Sequence, residues 1–180
     1  MSIRKLAVPF ALVLFALGCG GGPETRAEEQ AAISQARATI QTMTARDPSL
    51  QSVIDRSYGY VVFPQVGEGG FIVGGARGQG VVFERGRPVG FATLTEGSIG
   101  LQAGGQSFSE IIVFQDPGAF QRLKAGNFDL TAEAQAIALT SGASANARFE
   151  GGTAVFVLPE GGLMAGVTVG GQQINFEPMV

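Results

Sequence analysis

Hydrophobic and polar positions divide the chain into a helical first part and a strand-rich second part. Between residues 23 and 57, one side of a helix is outlined by apolar residues at helical spacing: Ile33, Ala36, Ile40 and Met43. Asp47-Pro48 interrupts this pattern, which predicts one long helix followed by a short second helix over Ser49–Arg56. Because the apolar stripe is narrow and rich in alanine, we expect these helices to pack against their own domain.

From Tyr58 onward, short segments rich in Val, Ile and Phe alternate with turns at regular intervals. This spacing is typical of an antiparallel sheet that curls or closes. We therefore predict the α+β class, with a mainly antiparallel, strongly bent or barrel-like sheet, an N-terminal helical segment and one or two short packing helices. One such helix begins at the N-cap Asp116 and ends at Gly126, and a second is predicted over residues 131–139.

Many of the 28 glycines lie inside the predicted strands, eight of them between residues 58 and 83. Glycine weakens a strand, so its presence there indicates a bend or the close approach of another group. The segment "GGARGQG" at residues 74–80 lacks the Lys-Ser or Lys-Thr of a P-loop, and strand-like sequence follows it where a dinucleotide site needs a helix. We interpret the glycines as architectural residues that let the sheet curve.

The N-terminus has the pattern of a secretory signal. Arg4 and Lys5 precede an apolar run over residues 6–17, which is too short to span a bilayer as a mature helix. The run closes with "ALGC", which resembles the lipobox of bacterial lipoproteins, although the leucine usual three places before the cysteine is Ala16 here. Cys19 is therefore the predicted lipidation site, carrying palmitate-type acyl chains.

These features predict a lipid anchor followed by a single domain. We expect a lipoprotein signal peptide over residues 1–18, a tether over 19–26, a helical segment over 27–57 and a β-rich core over 58–180, the last two forming one domain. Gly20 follows the cysteine where an aspartate would resemble an inner-membrane retention signal. The expected location is the bacterial cell envelope, at the outer membrane and facing the periplasm.

Composition argues against several classes of function. The chain has no histidine and a single cysteine, which excludes Ser–His–Asp and Cys–His catalysis, an intramolecular disulfide and a cysteine-based metal site. Its 12 basic and 15 acidic residues give a net charge of −3, and the basic residues are scattered, so we expect no nucleic-acid binding.

The carboxylates show no catalytic or metal-binding motif. We expect solvated charges at turns or alternate strand positions for Glu68, Glu84, Glu96, Glu110 and Asp116. We predict no catalytic residue, no metal site and no cofactor, and hence a protein that is not an enzyme.

Four segments together resemble the SYLF domain, a lipid-binding family. They are "GYVVFP" at 59–64, "GGFIVGGARGQGVVFERG" at 69–86, "GSIGLQAGGQSFSEIIVF" at 97–114 and "GGLMAGVTVGG" at 161–171. The resemblance implies binding of acidic phospholipids, partly through an amphipathic helix before the sheet, and in some members binding of actin.

The helix of this chain departs from that pattern. Over Glu24–Met43, only Arg26 and Arg37 oppose Glu24, Glu28 and Glu29, which gives no net attraction to anionic headgroups. We therefore do not carry over phosphoinositide binding, and we expect no actin partner for an exported lipoprotein.

The resulting expectation is a non-enzymatic, membrane-anchored outer-membrane lipoprotein with a SYLF-like domain. It would contact membrane lipid through the acylated Cys19 and bind a phospholipid or another apolar ligand. Candidate ligand contacts are Phe63, Phe71 and Phe83, whose side chains also suit a hydrophobic core, or alternatively the N-terminal helix. The alternative is an envelope scaffold that binds a protein partner and has no lipid ligand.

Overall fold

The computed structural model describes residues 22–70, 73–99, 104–126, 128–130, 136–160 and 171–179. Within them lie three α-helices, eight strands and one 3₁₀ helix. The helices are α1 (Arg26–Arg46), α2 (Ser49–Arg56) and α3 (Pro117–Lys124), and the 3₁₀ helix is Ala143–Asn146. The strands are β1 (Gly59–Gly70), β2 (Val73–Glu84), β3 (Arg87–Ile99), β4 (Gly104–Phe114), β5 (Phe128–Asp129), β6 (Ala136–Ala138), β7 (Thr153–Pro159) and β8 (Gln173–Pro178).

The predicted helix boundaries are confirmed where the sequence has a cap or a proline. Thr25 caps α1 in a capping box, in which the Thr25 hydroxyl accepts from Glu28 N and the Glu28 carboxylate accepts from Thr25 N. α1 ends before Asp47-Pro48, and α2 follows at once. Asp116 caps α3 by accepting a hydrogen bond of 2.9 Å from Ala119 N. No helix among the described residues is long and apolar enough to cross a membrane.

The prediction of a helix over residues 131–139 is wrong for residues 136–138. Ala136–Ala138 form β6, which pairs in parallel with β7, and residues 131–135 lie outside the described ranges. Ile137 pairs with Phe156, so this segment gains cross-strand packing at the edge of the sheet. That packing outweighs the helix propensity of the alanines.

The eight strands form one sheet in the order β5-β8-β3-β2-β1-β4-β7-β6, antiparallel except for the β6–β7 pair. Side-chain contacts show how strongly it curls. The Gln172 amide, just before β8, lies 3.2 Å from the Glu110 carboxylate on β4, although three strands separate β8 from β4. A flat sheet would hold these strands about 19 Å apart. The sheet is therefore a half-barrel, and the predicted α+β class is confirmed.

Hydrophobic residues cover both faces of the half-barrel. The outer core lies beneath α1 and α2 on the convex face and is built around Met43, Leu50, Ile54, Tyr60, Val62, Phe83, Ile111 and Phe156. The inner core fills the concave face and is built around Phe63, Val66, Leu94, Phe108, Phe114, Phe120, Phe128, Val157 and Ile174. We call the end where β1 and β3 begin the α3 end, because α3 packs into the inner core there. The opposite end, where β1 and β3 finish, is the mouth.

Close packing explains glycine at particular strand positions. A Cβ on Gly80 would lie 2.6 Å from the Phe63 ring and 2.6 Å from the Val62 carbonyl oxygen. Real Cβ atoms do not approach other atoms so closely, so only glycine fits there without a shift of the neighbouring strand. At Gly67, by contrast, a Cβ would meet nothing within 4 Å. The glycines of this sheet thus differ in role from one position to the next.

Candidate functional site: the seam of the half-barrel

The structure does not bring the predicted phenylalanine contacts together. Phe63 is fully buried in the inner core, whereas Phe83 lies in the outer core, stacked on Tyr60 with ring centroids 5.0 Å apart. The two side chains therefore point to opposite faces of the sheet. Phe71 lies outside the described residues, as do Cys19 and the predicted signal peptide over 1–18. Ligand binding by these phenylalanines stays a prediction, and packing is the role that the contacts of Phe63 and Phe83 display.

A cleft of about 370 Å³ opens where the two edges of the curled sheet face each other. We call it the seam cleft. β5 forms one lip, and β6, β7 and the 3₁₀ helix form the other. Its apolar floor consists of Phe128, Leu130, Ile137 and Val155. All of these except Ile137 are buried, so the cleft reaches down to the inner core.

The rim of the seam cleft carries a balanced set of charges. Arg122 and Arg148 supply two cations, and Asp129 and Glu150 supply two anions, all of them exposed. The Arg122 guanidinium donates a hydrogen bond of 2.6 Å to the Gly151 carbonyl, which fixes this side chain at the rim. An apolar floor with a rim of both signs suits a ligand that has an apolar part and a polar part of both charges.

Asp47 holds the 3₁₀-helix wall of the cleft in place. Its buried carboxylate accepts hydrogen bonds from Ser144 N at 2.7 Å and Gly142 N at 3.0 Å, and others from the Ser49 backbone and hydroxyl. Burial raises the pKa of Asp47, but these hydrogen bonds outweigh it and hold the pKa well below its ordinary value. The ionised carboxylate thereby links the junction of α1 and α2 to the cleft.

The expectation of solvated carboxylates is wrong for two residues on the concave face. Glu110 is 0% exposed and Glu68 is 7% exposed. Burial chiefly, with a contribution from the charge of Glu96, raises the pKa of Glu110 to about 8, and the hydrogen bond from Gln172 only partly opposes this. Burial and Glu96 raise the pKa of Glu68 as well. Glu110 therefore holds its proton at neutral pH.

Of the other three carboxylates, Glu96 on β3 is half-buried, and Asp116 and Glu84 lie near the ends of their elements. Asp116 is exposed and caps α3, and Glu84 at the end of β2 forms an ion pair of 3.2 Å with Lys124 and accepts from the Tyr58 hydroxyl. Among the described residues, no three acidic or cysteine side chains are grouped so that they could hold a metal ion.

Comparison with protein-family models identifies the region that contains these features. The family Ysc84, described as Las17-binding protein actin regulator and also called SYLF, matches residues 95–178. Residues 95–178 are therefore similar to the SYLF family. The matched SYLF region includes all of α3, β4 and β5 to β8, and therefore every residue that lines the seam cleft. The resemblance inferred from the glycine-rich segments is thus confirmed.

A curated relative of this chain is "Beta cell expansion factor A" from Aeromonas veronii. The two are 24% identical over 154 residues, which cover 84% of this chain and 58% of the relative. The chain therefore spans a little over half the length of that protein. The similarity extends beyond the region matched by the SYLF model.

Proposed function

We propose that the protein is a non-enzymatic, lipid-anchored protein of the outer membrane whose SYLF domain binds a phospholipid in the seam cleft. The acyl chain would lie on the apolar floor, and the headgroup would lie at the charged rim. The observation that carries this proposal is the cleft itself, which joins an opening to solvent with a floor of inner-core residues. The match of residues 95–178 to the SYLF family model supports a lipid-binding domain of this kind.

The floor of the cleft supports binding of an acyl chain. Its volume of about 370 Å³ falls within the range of small-molecule pockets, about 300–1,000 Å³. Each methylene transferred from water to such a floor contributes about 0.8 kcal/mol. Because the cleft is open at its side, a chain longer than the floor extends beyond it.

The rim supports a zwitterionic headgroup. Arg122 and Arg148 would contact the phosphate, and Asp129 and Glu150 would contact an amine. A headgroup with several negative charges would be repelled by the two carboxylates as well as attracted by the two guanidinium groups. Its net electrostatic attraction to the rim would therefore be small. We therefore infer a preference for phosphatidylethanolamine-type lipids over polyanionic ones.

The position of the chain's N-terminal segment supports a membrane anchor at the α3 end. Gly22 N donates a hydrogen bond of 3.1 Å to the Glu177 carboxylate on β8, close to the end of that strand. Cys19 lies three positions before Gly22, a span of at most about 11 Å. Acyl chains on Cys19 would thus hold the α3 end near the bilayer, where the exposed Arg85 and Arg87 would meet lipid headgroups.

Photo-crosslinking tests whether lipid occupies the seam cleft. A phosphatidylethanolamine with a diazirine in its acyl chain would be added to the full-length protein in detergent. We expect crosslinks to map to peptides of the cleft. Replacing Asn146 with tryptophan places a large ring at the rim of the cleft and is expected to lower crosslinking about tenfold, equivalent to about 1.4 kcal/mol of binding.

Ala145 provides the matched control, since it is exposed on the same 3₁₀ helix but does not line the cleft. Ala145→Trp is expected to crosslink like the wild type. Equal crosslinking of the wild type and Asn146→Trp would contradict the cleft as the lipid site. A stoichiometric envelope protein recovered with a chain that crosslinks no lipid would favour the scaffold alternative.

A further inference from the structure

A polar contact and an aromatic contact join the two sides of the seam inside the half-barrel. Toward the α3 end, the rings of Phe114 on β4 and Phe128 on β5 have centroids 5.4 Å apart. Nearer the mouth, Gln172 Nε2 donates a hydrogen bond of 3.2 Å to Glu110 Oε2. Glu110 belongs to the β4–β7–β6 side of the seam, and Gln172 precedes β8 on the other side. This hydrogen bond therefore connects the two lips directly.

Two buried oxygens at this contact lack a hydrogen-bond donor when Glu110 is ionised. Glu110 and Gln172 are both 0% exposed, and Glu110 Oε1 and Gln172 Oε1 each lack a donor. Two buried acceptors side by side with no donor are costly. A protonated carboxyl has one O–H donor, and a primary amide offers both a donor and an acceptor. A proton on Glu110 would therefore give Gln172 Oε1 its missing partner and produce a two-point pair.

We propose that Glu110 and Gln172 form a proton-dependent clasp across the seam, closed when Glu110 is protonated and released when it ionises. Ionisation removes the donor for Gln172 Oε1 and leaves a buried negative charge that only one amide N–H solvates, so separation of the lips, which lets water reach the carboxylate, becomes favourable. The effect on the seam cleft, a change in how readily lipid enters, rests on the function proposed above. The clasp itself does not depend on lipid binding.

The surroundings of Glu110 favour a proton rather than a compensating cation. The negative charge of Glu96 on β3 raises the pKa of Glu110. It also raises the pKa of Glu68, the buried carboxyl on β1. From β8 comes the neutral Gln172, and on β7 the cross-strand neighbour is the apolar Val157. No cation of the described residues contributes to the raised pKa of about 8. The proton is therefore held below about pH 8 and lost above it.

Distance measurement between spin labels on the two lips tests the clasp. Labels would be attached to Gln173→Cys beside β5 and Ala145→Cys on the 3₁₀ helix, both exposed, in a full-length Cys19→Ser background without lipid. As the pH rises from about 6 to about 9, we expect the distance to lengthen by a few ångström, with a midpoint near 8. Glu110→Gln keeps both hydrogen bonds without a titrating group, so its distance should stay short throughout.

Glu160→Gln is the matched control, because Glu160 is exposed beyond the end of β7, and this variant should open as the wild type does. A wild-type distance that is constant over this pH range overturns the clasp, and so does opening of Glu110→Gln like the wild type. Carboxyl ¹³C NMR of the wild type gives a second test that needs no variant. A Glu110 titration near its ordinary pKa of 4.5 would also overturn it. If the clasp responds but no lipid crosslinks, the proposed function fails and the clasp stands.

Discussion

Replacing Gly80 with alanine is expected to lower the free energy of unfolding by about 3 kcal/mol. The added methyl group would meet the Phe63 ring and the Val62 carbonyl oxygen, both at 2.6 Å. Phe63 is fully buried in the inner core and Val62 belongs to the neighbouring strand, so neither can move without disturbing the sheet. Urea denaturation of the purified protein measures this loss.

Gly67→Ala is the matched control for Gly80→Ala. Gly67 lies on β1, the strand next to β2, and an added Cβ there meets nothing within 4 Å. Alanine should leave stability unchanged or raise it slightly, because it restricts the unfolded chain. Equal effects of the two substitutions would contradict the conclusion that Gly80 is required by close packing.

Asp47→Ala is expected to cost about 3 kcal/mol, because it leaves the buried N–H of Ser144 and the partly buried N–H of Gly142 without acceptors. Each unsatisfied buried donor costs about 1–3 kcal/mol. The substitution also removes the acceptor for Ser49 at the start of α2. The loss should appear as a lower melting temperature and as faster hydrogen exchange at the Gly142 and Ser144 amides.

Asp47 also makes the stability of the protein depend on pH. Since folding depresses the pKa of Asp47, its contribution to stability is present above the ordinary pKa of 3.8 and is lost as pH falls below it. Asp47→Ala should therefore remove part of the acid sensitivity of the wild type. Asp55→Ala, which removes an exposed carboxylate on α2, should change stability by less than about 0.5 kcal/mol. An Asp47→Ala protein as stable as Asp55→Ala would show that the network does not stabilise the fold.

Elements with local signals could be predicted from the sequence. Asp47-Pro48 marks the break between α1 and α2, and Asp116-Pro117 marks the start of α3, because an N-cap side chain and a proline act within one turn. The glycine-rich strands likewise predict a curved sheet. β6 was missed because its three residues have helix-forming neighbours in sequence and gain their packing only from β7, distant along the chain.

The buried carboxylates and the seam cleft lack such a local signal. On β4, Glu110 lies two residues from both Phe108 and Ile112, which face inward, so it shares their face of the strand. This period-two spacing is a signal for burial. However, Ile111 and Val113 are also buried, in the outer core, so both faces are apolar and the alternation does not stand out. The cleft depends on how the edges of the curled sheet meet, and no short stretch of sequence encodes that.

Native mass spectrometry of the mature protein, extracted from cell envelopes in mild detergent, is the most direct test of lipid binding in the seam cleft. We expect a chain that begins at an acylated Cys19 and retains a single phospholipid, with that lipid absent from Asn146→Trp and present in Ala145→Trp. A wild-type protein without bound lipid, or an Asn146→Trp protein that keeps it, would contradict lipid binding in the seam cleft. An unmodified Cys19 in the mature chain would contradict the anchor.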